Sequence, residues 1–399
     1  MKHQEIRKKF FDFFERNGHK IVSSSSLIPD DQTVLFTTAG MQQFKSYYTN
    51  PEKAPAKNVA SIQKCLRTSD IDEVGDESHL TFFEMMGNFS FGGYGKREAI
   101  QYAHEFITKE LGLKINYVSV FGGEGDIPAD KESESIWKSV DPNLEVKRAG
   151  KEDNFWGPTG LEGPCGPTTE IYANGVEVWN IVFNEYYCYA DKSYKKLEHL
   201  GVDTGMGLER LSAVVNGKDS VFETELFKPL IDLTPPELDT RIRRIIVDHS
   251  RAIAFLISDG VWPSNKEQGY VLRRLMRRII TYAYQKNIKT PPEMILKAVV
   301  ELYGDVYPNL DFSVIKEVYD AEYQKFIKSV GSGLKELEKL SSIDAQTAFR
   351  LYESFGLPYE VIKEAVGERS KMLTREAFDE EFKKHQEISR VGVEKKFGK

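Results

Sequence analysis

Hydrophobic positions at the start of the chain recur with the period of an α-helix. Ile6, Phe10, Phe13 and Phe14 stand at i, i+4, i+7 and i+8, which predicts an amphipathic helix over residues 3–17. Gly18 sits where a C-terminal cap belongs. From about residue 20 to 215 the pattern changes to short apolar runs separated by glycine-rich turns. Residues 34–36, 80–86 and 178–183 predict strands of a largely antiparallel sheet with inserted helices. Strand–helix–strand repetition is missing, which argues against a doubly wound parallel fold. Thr234-Pro235-Pro236 then breaks the chain. Beyond it the period is helical over 240–258, 267–287, 291–303, 311–340 and 343–365, and a polar stretch over 380–399 reads as a fraying helix. The pattern predicts an α+β domain over 1–234 and an all-α domain over 235–399.

Composition agrees with two folded domains. The chain has 399 residues, 40% hydrophobic and 29% charged, values that exclude a disordered or fibrous chain. No apolar run reaches the roughly 18–20 residues needed to span a membrane, and no signal peptide is visible. Cys65, Cys165 and Cys188 are sparse and far apart. That argues against a disulfide framework, for a reducing cytoplasm, and against a structural zinc site.

Charge changes the picture. The net charge is −7, yet residues 241–290 hold 11 Lys and Arg against 3 Asp and Glu, a local balance of +8. Within that segment Arg273 and Arg277 are four apart, as are Arg274 and Arg278, so four guanidiniums share one helix side and repel unless an anion compensates. In an otherwise acidic chain, nucleic-acid phosphates explain such a run better than a solvated face.

Three segments of the first domain carry candidate chemistry. Arg67 ends one strand, and Thr81, Phe83 and Met85 share a face of the next. A guanidinium beside an exposed ring suits a nucleotide, and equally an ordinary strand arginine beside a core aromatic. Gly201-Val202-Asp203-Thr204-Gly205-Met206-Gly207-Leu208-Glu209-Arg210-Leu211 runs from a strand through a glycine turn into a helix. Leu208, Leu211, Ser212 and Val215 predict its buried stripe, and Arg210 falls off it. The glycines and prolines in the stretch from Asn154 to Pro158 and on through Gly163 to Ile171 predict a rigid loop, a pocket wall or a structural corner. Cys165 has no basic neighbour and is not read as a nucleophile. Glu84 and Glu209 have no candidate nucleophile to serve and are read as structural, and the scattered histidines have no metal-ligand spacing.

Taken together, Leu35-Phe36-Thr37-Thr38-Ala39-Gly40-Met41-Gln42-Gln43-Phe44, Thr81-Phe82-Phe83-Glu84-Met85-Met86-Gly87-Asn88-Phe89-Ser90-Phe91-Gly92, Trp179-Asn180-Ile181-Val182-Phe183 and Val202-Asp203-Thr204-Gly205-Met206-Gly207-Leu208-Glu209-Arg210 resemble the alanyl-tRNA synthetase family of class II synthetases. Gly260-Val261-Trp262-Pro263-Ser264-Asn265 and Gly269-Tyr270-Val271-Leu272-Arg273-Arg274 extend the resemblance into the helical part. It implies an antiparallel class II sheet flanked by helices and a two-step reaction. Alanine and ATP, with Mg2+, give alanyl-adenylate, and the alanyl group then passes to the 3′ end of tRNA(Ala).

The resemblance also implies roles. Arg67 and Arg210 are the catalytic arginines, on the α- and γ-phosphates; His79, Phe83 and Met85 join them at ATP, with Phe83 stacked on adenine. Asp203 pairs with alanine's ammonium. Met41, Arg67, Trp156, Asn180, Val182 and Gly205 form the rest of the alanine pocket. Asn265, with Glu353 in the place of an aspartate, reads the acceptor-stem G·U pair, while Arg273, Arg274, Arg277 and Arg278 lie on tRNA phosphates. In one departure, the loop from Asp70 to Ser78 is short and acidic where a basic residue is common. The sequence stops where the family continues into an editing domain, whose HxxxH and Cys/His zinc set it lacks. A cytoplasmic monomer without editing, zinc or other resident metal, and without a membrane partner, is expected.

Overall fold

The computed structural model describes residues 1–288, 292–367 and 373–385. It divides into two compact units, Met1–Ile231 and the chain from Asp232 onward.

The first unit is a sheet with helices packed on it. Nine strands are found among the described residues: β1 Lys20–Ile21, β2 Asn58–Leu66, β3 Phe82–Phe91, β4 Ile115–Phe121, β5 Glu145–Ala149, β6 Phe155–Trp156, β7 Gly163–Ala173, β8 Val176–Cys188 and β9 Tyr194–Gly207. Their order is β1-β2-β3-β9-β8-β7-β4-β5, with β6 paired to β7. The β1–β2 and β4–β5 pairs at the two edges are parallel and the other pairs antiparallel. The helices are α1 His3–Arg16, α2 Lys96–Glu105, α3 Lys131–Val140, α4 Lys151–Asn154, α5 Leu208–Val215 and α6 Lys228–Ile231.

Helix α1 buries the predicted stripe, Ile6, Phe10, Phe13 and Phe14. Phe10 and Phe13 pack on Phe106, and Phe14 reaches Trp179 of β8. The chain leaves α1 through Gly18 at φ +79°, the left-handed conformation for which glycine pays no side-chain penalty.

Several local expectations give way in this unit, among them the glycine turn before α5: β9 runs through Gly205 to Gly207 and α5 begins at Leu208. Residues 34–36 form a bend, not a strand; the run is three residues long and follows the turn-forming Pro29-Asp30-Asp31. Gly163 to Pro167 lie inside β7 instead of in a loop. Pro167 falls where the β7–β8 register shifts between Cys165 and Thr168, a bulge that relieves the ladder of its missing N–H group, while Pro164 stays in register opposite Tyr187. On α5, Val214 and Glu209 are buried and Val215 is only partly so.

Cys165 and Cys188 are joined in a disulfide with Cα atoms 6.1 Å apart, and Cys65 is a buried free thiol. The expectation of three thiols is therefore corrected. The β7–β8 hairpin pairs Gly163 with Cys188 and Cys165 with Tyr186, so two cysteines 23 residues apart become diagonal neighbours on adjacent strands. Cysteine spacing thus no longer argues for a reducing compartment.

Among the described residues the second unit's elements are helices: α7 Thr240–Ser258, α8 Glu267–Gln285, α9 Pro292–Tyr303, α10 Phe312–Glu338, α11 Ala345–Phe355 and α12 Tyr359–Val366, with residues 375–385 also helical. The single helix expected over 343–365 is two, because Gly356 caps α11 at φ +75° and Pro358 opens α12. Residue 291 and residues 386–399 of the expected terminal helix lie outside the described residues. No described helix is long and apolar enough to cross a membrane.

Candidate active site

Side chains two apart on a strand share a face, and one face of the sheet builds a cavity. Phe83 and Met85 on β3, Asp203 and Gly205 on β9, Asn180 and Val182 on β8, and Glu170 and Tyr172 on β7 all line a space of about 450 Å³. The register sets Val182 opposite Asp203, and Asn180 opposite both Gly205 and Glu170. Arg67, His79, Trp156 and Arg210 also border it.

Arg67 follows β2, tied by its backbone N–H to Thr81 O at 3.0 Å and by Nε to Thr38 O at 3.4 Å. Its guanidinium carbon lies 5.0 Å from the centroid of the Phe83 ring, a cation–π contact. Both side chains border the cavity. Arg210, in the first turn of α5, donates from Nη1 to the Glu177 carboxylate at 2.9 Å and to Glu177 O at 3.1 Å. His79 is held by Asp76, which takes its Nδ1 at 2.5 Å and its backbone N–H at 2.8 Å. The acidic loop thus closes on a residue of its own end.

Asp203 is the most perturbed acid of the cavity. It is buried, and burial pushes its carboxyl from 3.8 up to about 7. Asn180 donates from Nδ2 to Glu170 at 3.3 Å, but its Oδ1 is buried with no hydrogen-bond partner, and so is Nε1 of Trp156. A buried polar atom without a protein partner is met by ordered water or by a ligand. A buried carboxylate, an orphaned acceptor, an orphaned donor and a guanidinium around one space complement a small zwitterion: ammonium toward Asp203 and Asn180, carboxylate toward Arg67. Gly205 belongs to this geometry because a Cβ there would stand 2.9 Å from Met85 Sδ.

Met41 does not line the cavity. It is buried in a cluster with Phe44, Tyr48 and Phe89, against which Met85 and Trp156 pack, so it backs the cavity wall and does not form it. Glu170 was missed. Burial raises its carboxyl, which accepts from Tyr172 Oη at 2.7 Å and Ser119 Oγ at 3.2 Å. The alternation Thr168, Glu170, Tyr172 marks it in sequence, but the neighbouring Gly and Pro masked the strand. Glu84 is ion-paired with Arg7; Glu209 accepts from the Glu84 backbone at 3.1 Å and also lines the cavity. No group of three or more His, Cys, Asp or Glu among the described residues is arranged to hold a metal ion.

In the second unit the arginine run departs from expectation. Arg274 donates to Glu360 at 2.6 Å, Arg277 to Glu322 at 2.8 Å and Arg278 to Glu364 at 2.7 Å, while Arg273 lies 3.3 Å from Glu322. Arg278 keeps 1% of its side chain exposed and Arg274 11%. The compensating anions are carboxylates of α10 and α12, so the inference from mutual repulsion to bound phosphates is corrected. Their positions near 322 and 360 lie outside the basic segment 241–290.

Arg273 also braces the loop before α8. Its Nη1 donates to Asn265 Oδ1, and its Nη2 to Pro263 O at 3.2 Å. Asn265 is exposed on that loop. Glu353 is about half exposed on α11 and pairs with His385 at 2.7 Å.

Comparison with known proteins bears on the whole chain. A family model described as tRNA synthetases class II (A) matches residues 5–175 and 173–398. An alanine–tRNA ligase of Borrelia hermsii is 41% identical over all of this chain and 74% of its own length. Alanine–tRNA ligases of Rubrobacter xylanophilus (40% identical) and Thermotoga maritima (42%) match 99% and 98% of this chain. The chain spans about half the length of these last two. Among solved structures, a pyrrolysyl-tRNA synthetase of Desulfitobacterium hafniense superposes with a TM-score of 0.37 at 12% identity, over 56% of this chain and 72% of its own. The chain belongs to the class II tRNA synthetases, in the alanyl-tRNA synthetase family.

Proposed function

We propose that this chain activates L-alanine with ATP and transfers it to the 3′ end of tRNA(Ala). The observation that carries the reading is the buried Asp203 carboxylate beside the orphaned Asn180 Oδ1, in one cavity with Arg67 and Phe83. The alanine–tRNA ligase names of its relatives support it.

Alanine's ammonium sits on Asp203 and Asn180, and Val182, Trp156 and Gly205 bound its methyl. One carboxylate oxygen attacks the α-phosphorus, a new O–P bond forms, and pyrophosphate leaves with the electron pair of the broken bond. Arg67 spans the attacking carboxylate and the α-phosphate while Phe83 stacks on adenine. Mg2+ enters with ATP. Catalysis is positioning and charge stabilisation, with no covalent enzyme intermediate. The tRNA's terminal hydroxyl then takes the alanyl group and releases AMP. Asn265 reads the acceptor-stem G·U pair, held in place by Arg273; Glu353 assists after leaving His385. In this reading the chain works as a monomer in the cytoplasm, and light scattering reads the oligomeric state directly. Alanine-dependent exchange of pyrophosphate into ATP, followed by charging of tRNA(Ala), tests the whole; a folded sample without alanine-dependent exchange refutes it.

Arg210 must exchange Glu177 for the γ-phosphate. At 42% and 34% side-chain exposure that pair is worth no more than about 1 kcal/mol. Glu177→Gln is therefore expected to lower the KM for ATP by up to about fivefold, with alanine KM unchanged. A raised ATP KM would show that Glu177 aids the nucleotide.

An added hydroxyl is poorly excluded from a small pocket, with discrimination of about 10²-fold. Serine is thus expected to be activated. These 399 residues contain no HxxxH, so seryl-tRNA made by the purified chain is expected to persist. Rapid deacylation by the same sample would contradict this.

A further inference from the structure

We infer that Trp262 is a stacking platform for a nucleobase or ribose face of the RNA, with Lys266 on the adjoining phosphate. The inference rests on the reading of this chain as a tRNA ligase and adds a contact to it. The observations are an indole, an amide and an ammonium presented within five residues by one braced loop.

Trp262 is 61% exposed. Trp137 and Trp179 are buried, and Trp156 is half-buried at the cavity. A large apolar ring left in water costs hydration free energy, and tryptophan is the residue most often spent this way at recognition surfaces. The loop that carries it is not slack. Val261, just before it, is buried, and its N–H donates to Leu256 O at 3.0 Å. Ser264 N–H donates to Gly269 O at 3.0 Å, and Ser264 Oγ to Lys266 O at 2.9 Å. Arg273 holds Pro263 O and the Asn265 side chain from α8.

Gly269 lets the loop fold back so closely, since a Cβ there would meet Trp262 O and Ser264 Oγ at 2.4 Å. Glu267, at the start of α8, sits at φ +49°. A side-chain-bearing residue keeps that conformation only where its surroundings dictate it, a pattern concentrated at ligand clamps. A ring on such a mount loses little conformational freedom on binding.

The neighbours say what it binds. Asn265 offers an amide able to bridge a base edge, already oriented by Arg273. Lys266 is exposed, and its ammonium has no ion-pair partner among the described residues, unlike the arginines of α8. An aromatic face, an amide and an unpaired cation side by side are the complement of a nucleotide: base, base edge and phosphate. A protein surface would be served by the ring but would leave Lys266 without its counter-charge.

Three measurements test this on the full chain. First, an RNA hairpin copying the acceptor stem with its G·U pair is titrated without alanine or ATP while tryptophan emission is followed. Stacking on Trp262 quenches it, and Trp262→Phe removes most of the change. Unchanged wild-type emission at saturating RNA overturns the proposal and leaves a protein partner as the explanation of the exposed ring. Second, Trp262→Ala is expected to raise the KM for tRNA in charging about 5- to 100-fold, with alanine-dependent pyrophosphate exchange unchanged and Trp262→Tyr largely restoring the KM. An unaltered tRNA KM overturns the proposal. Lys266→Gln is expected to lower the salt dependence of RNA binding by about one unit of log–log slope, and an unchanged slope removes the phosphate contact. Exchange in the wild type tests the ligase reading on its own, so failure there is distinguishable from failure of the stacking contact.

Discussion

Asp203→Ala is expected to lower alanine-dependent pyrophosphate exchange about 10²- to 10³-fold while leaving the fold intact. Removing one member of a buried charge pair costs several kcal/mol of binding, and the orphaned Asn180 Oδ1 cannot replace a carboxylate opposite an ammonium. The pH dependence gives an independent reading. The Asp203 carboxyl is raised by burial from 3.8 to about 7 in the folded chain. Between those values the folded state holds a proton that the unfolded state has lost, so stability without ligand falls as pH rises through that window. Full ionisation above 7 costs on the order of 4 kcal/mol. Alanine's ammonium offsets that cost, so thermal stabilisation by alanine should grow from pH 6 to pH 8 while its KM falls. Asp203→Asn should flatten both profiles and be the more stable protein at pH 8 without ligand. A wild-type profile identical to that of Asp203→Asn would remove Asp203 from the ammonium site.

Glu360→Gln is expected to give the largest loss of stability. Burial alone would raise this carboxyl, but Arg274, Arg375 and Arg278 hold it well below its ordinary value of 4.5. It accepts from Arg274 and Arg375 while 3% exposed. The amide keeps the shape and removes the charge, leaving two guanidiniums facing a neutral group. Breaking a buried pair in this way costs about 3–5 kcal/mol. In a unit of this size that is a fall of roughly 10 °C in Tm for the helical transition, read by circular dichroism. The depressed carboxyl contributes stability fully present above 4.5 and lost as pH falls through its lower folded value. The variant should therefore differ most from the wild type near neutral pH and converge with it in acid. A variant as stable as the wild type at pH 7 would mean that the network is neutral.

Much of the fold was legible because it rests on local periodicity. The stripe of α1 and the long runs of α7 and α8 are set by side chains three and four apart, and they fold as the pattern predicts. The cavity was legible from alternation only at Phe83 and Met85, two apart on one strand; Asn180, Val182, Asp203 and Gly205 were marked by the family resemblance alone, because the glycines around Asp203 read as a turn. What stayed hidden depends on partners distant in sequence. The arginines of α8 look like a phosphate site until Glu322 and Glu360 are brought beside them. Cys165 and Cys188 look unrelated until β7 and β8 pair. Glu170 looks like a loop residue until a bulge lets Pro167 enter a strand. Gly356-Leu357-Pro358 was different, a plain stop signal overlooked inside a convincing apolar period.

The pairing of Val182 with Asp203 and of Asn180 with Gly205 also limits how genes for this chain can change in length. Inserting or deleting one codon within β8 or β9 would turn every later residue of that strand to the opposite face. Asp203 or Asn180 would then enter the apolar side, and Thr204 or Ile181 would replace it at the cavity. A substitution removes one contact, but a single-codon slip here exchanges the whole lining at once. Tolerated length changes should therefore collect in the turn at Asn174 and Gly175 and in the 189–193 connection, where alternation restarts with each new strand.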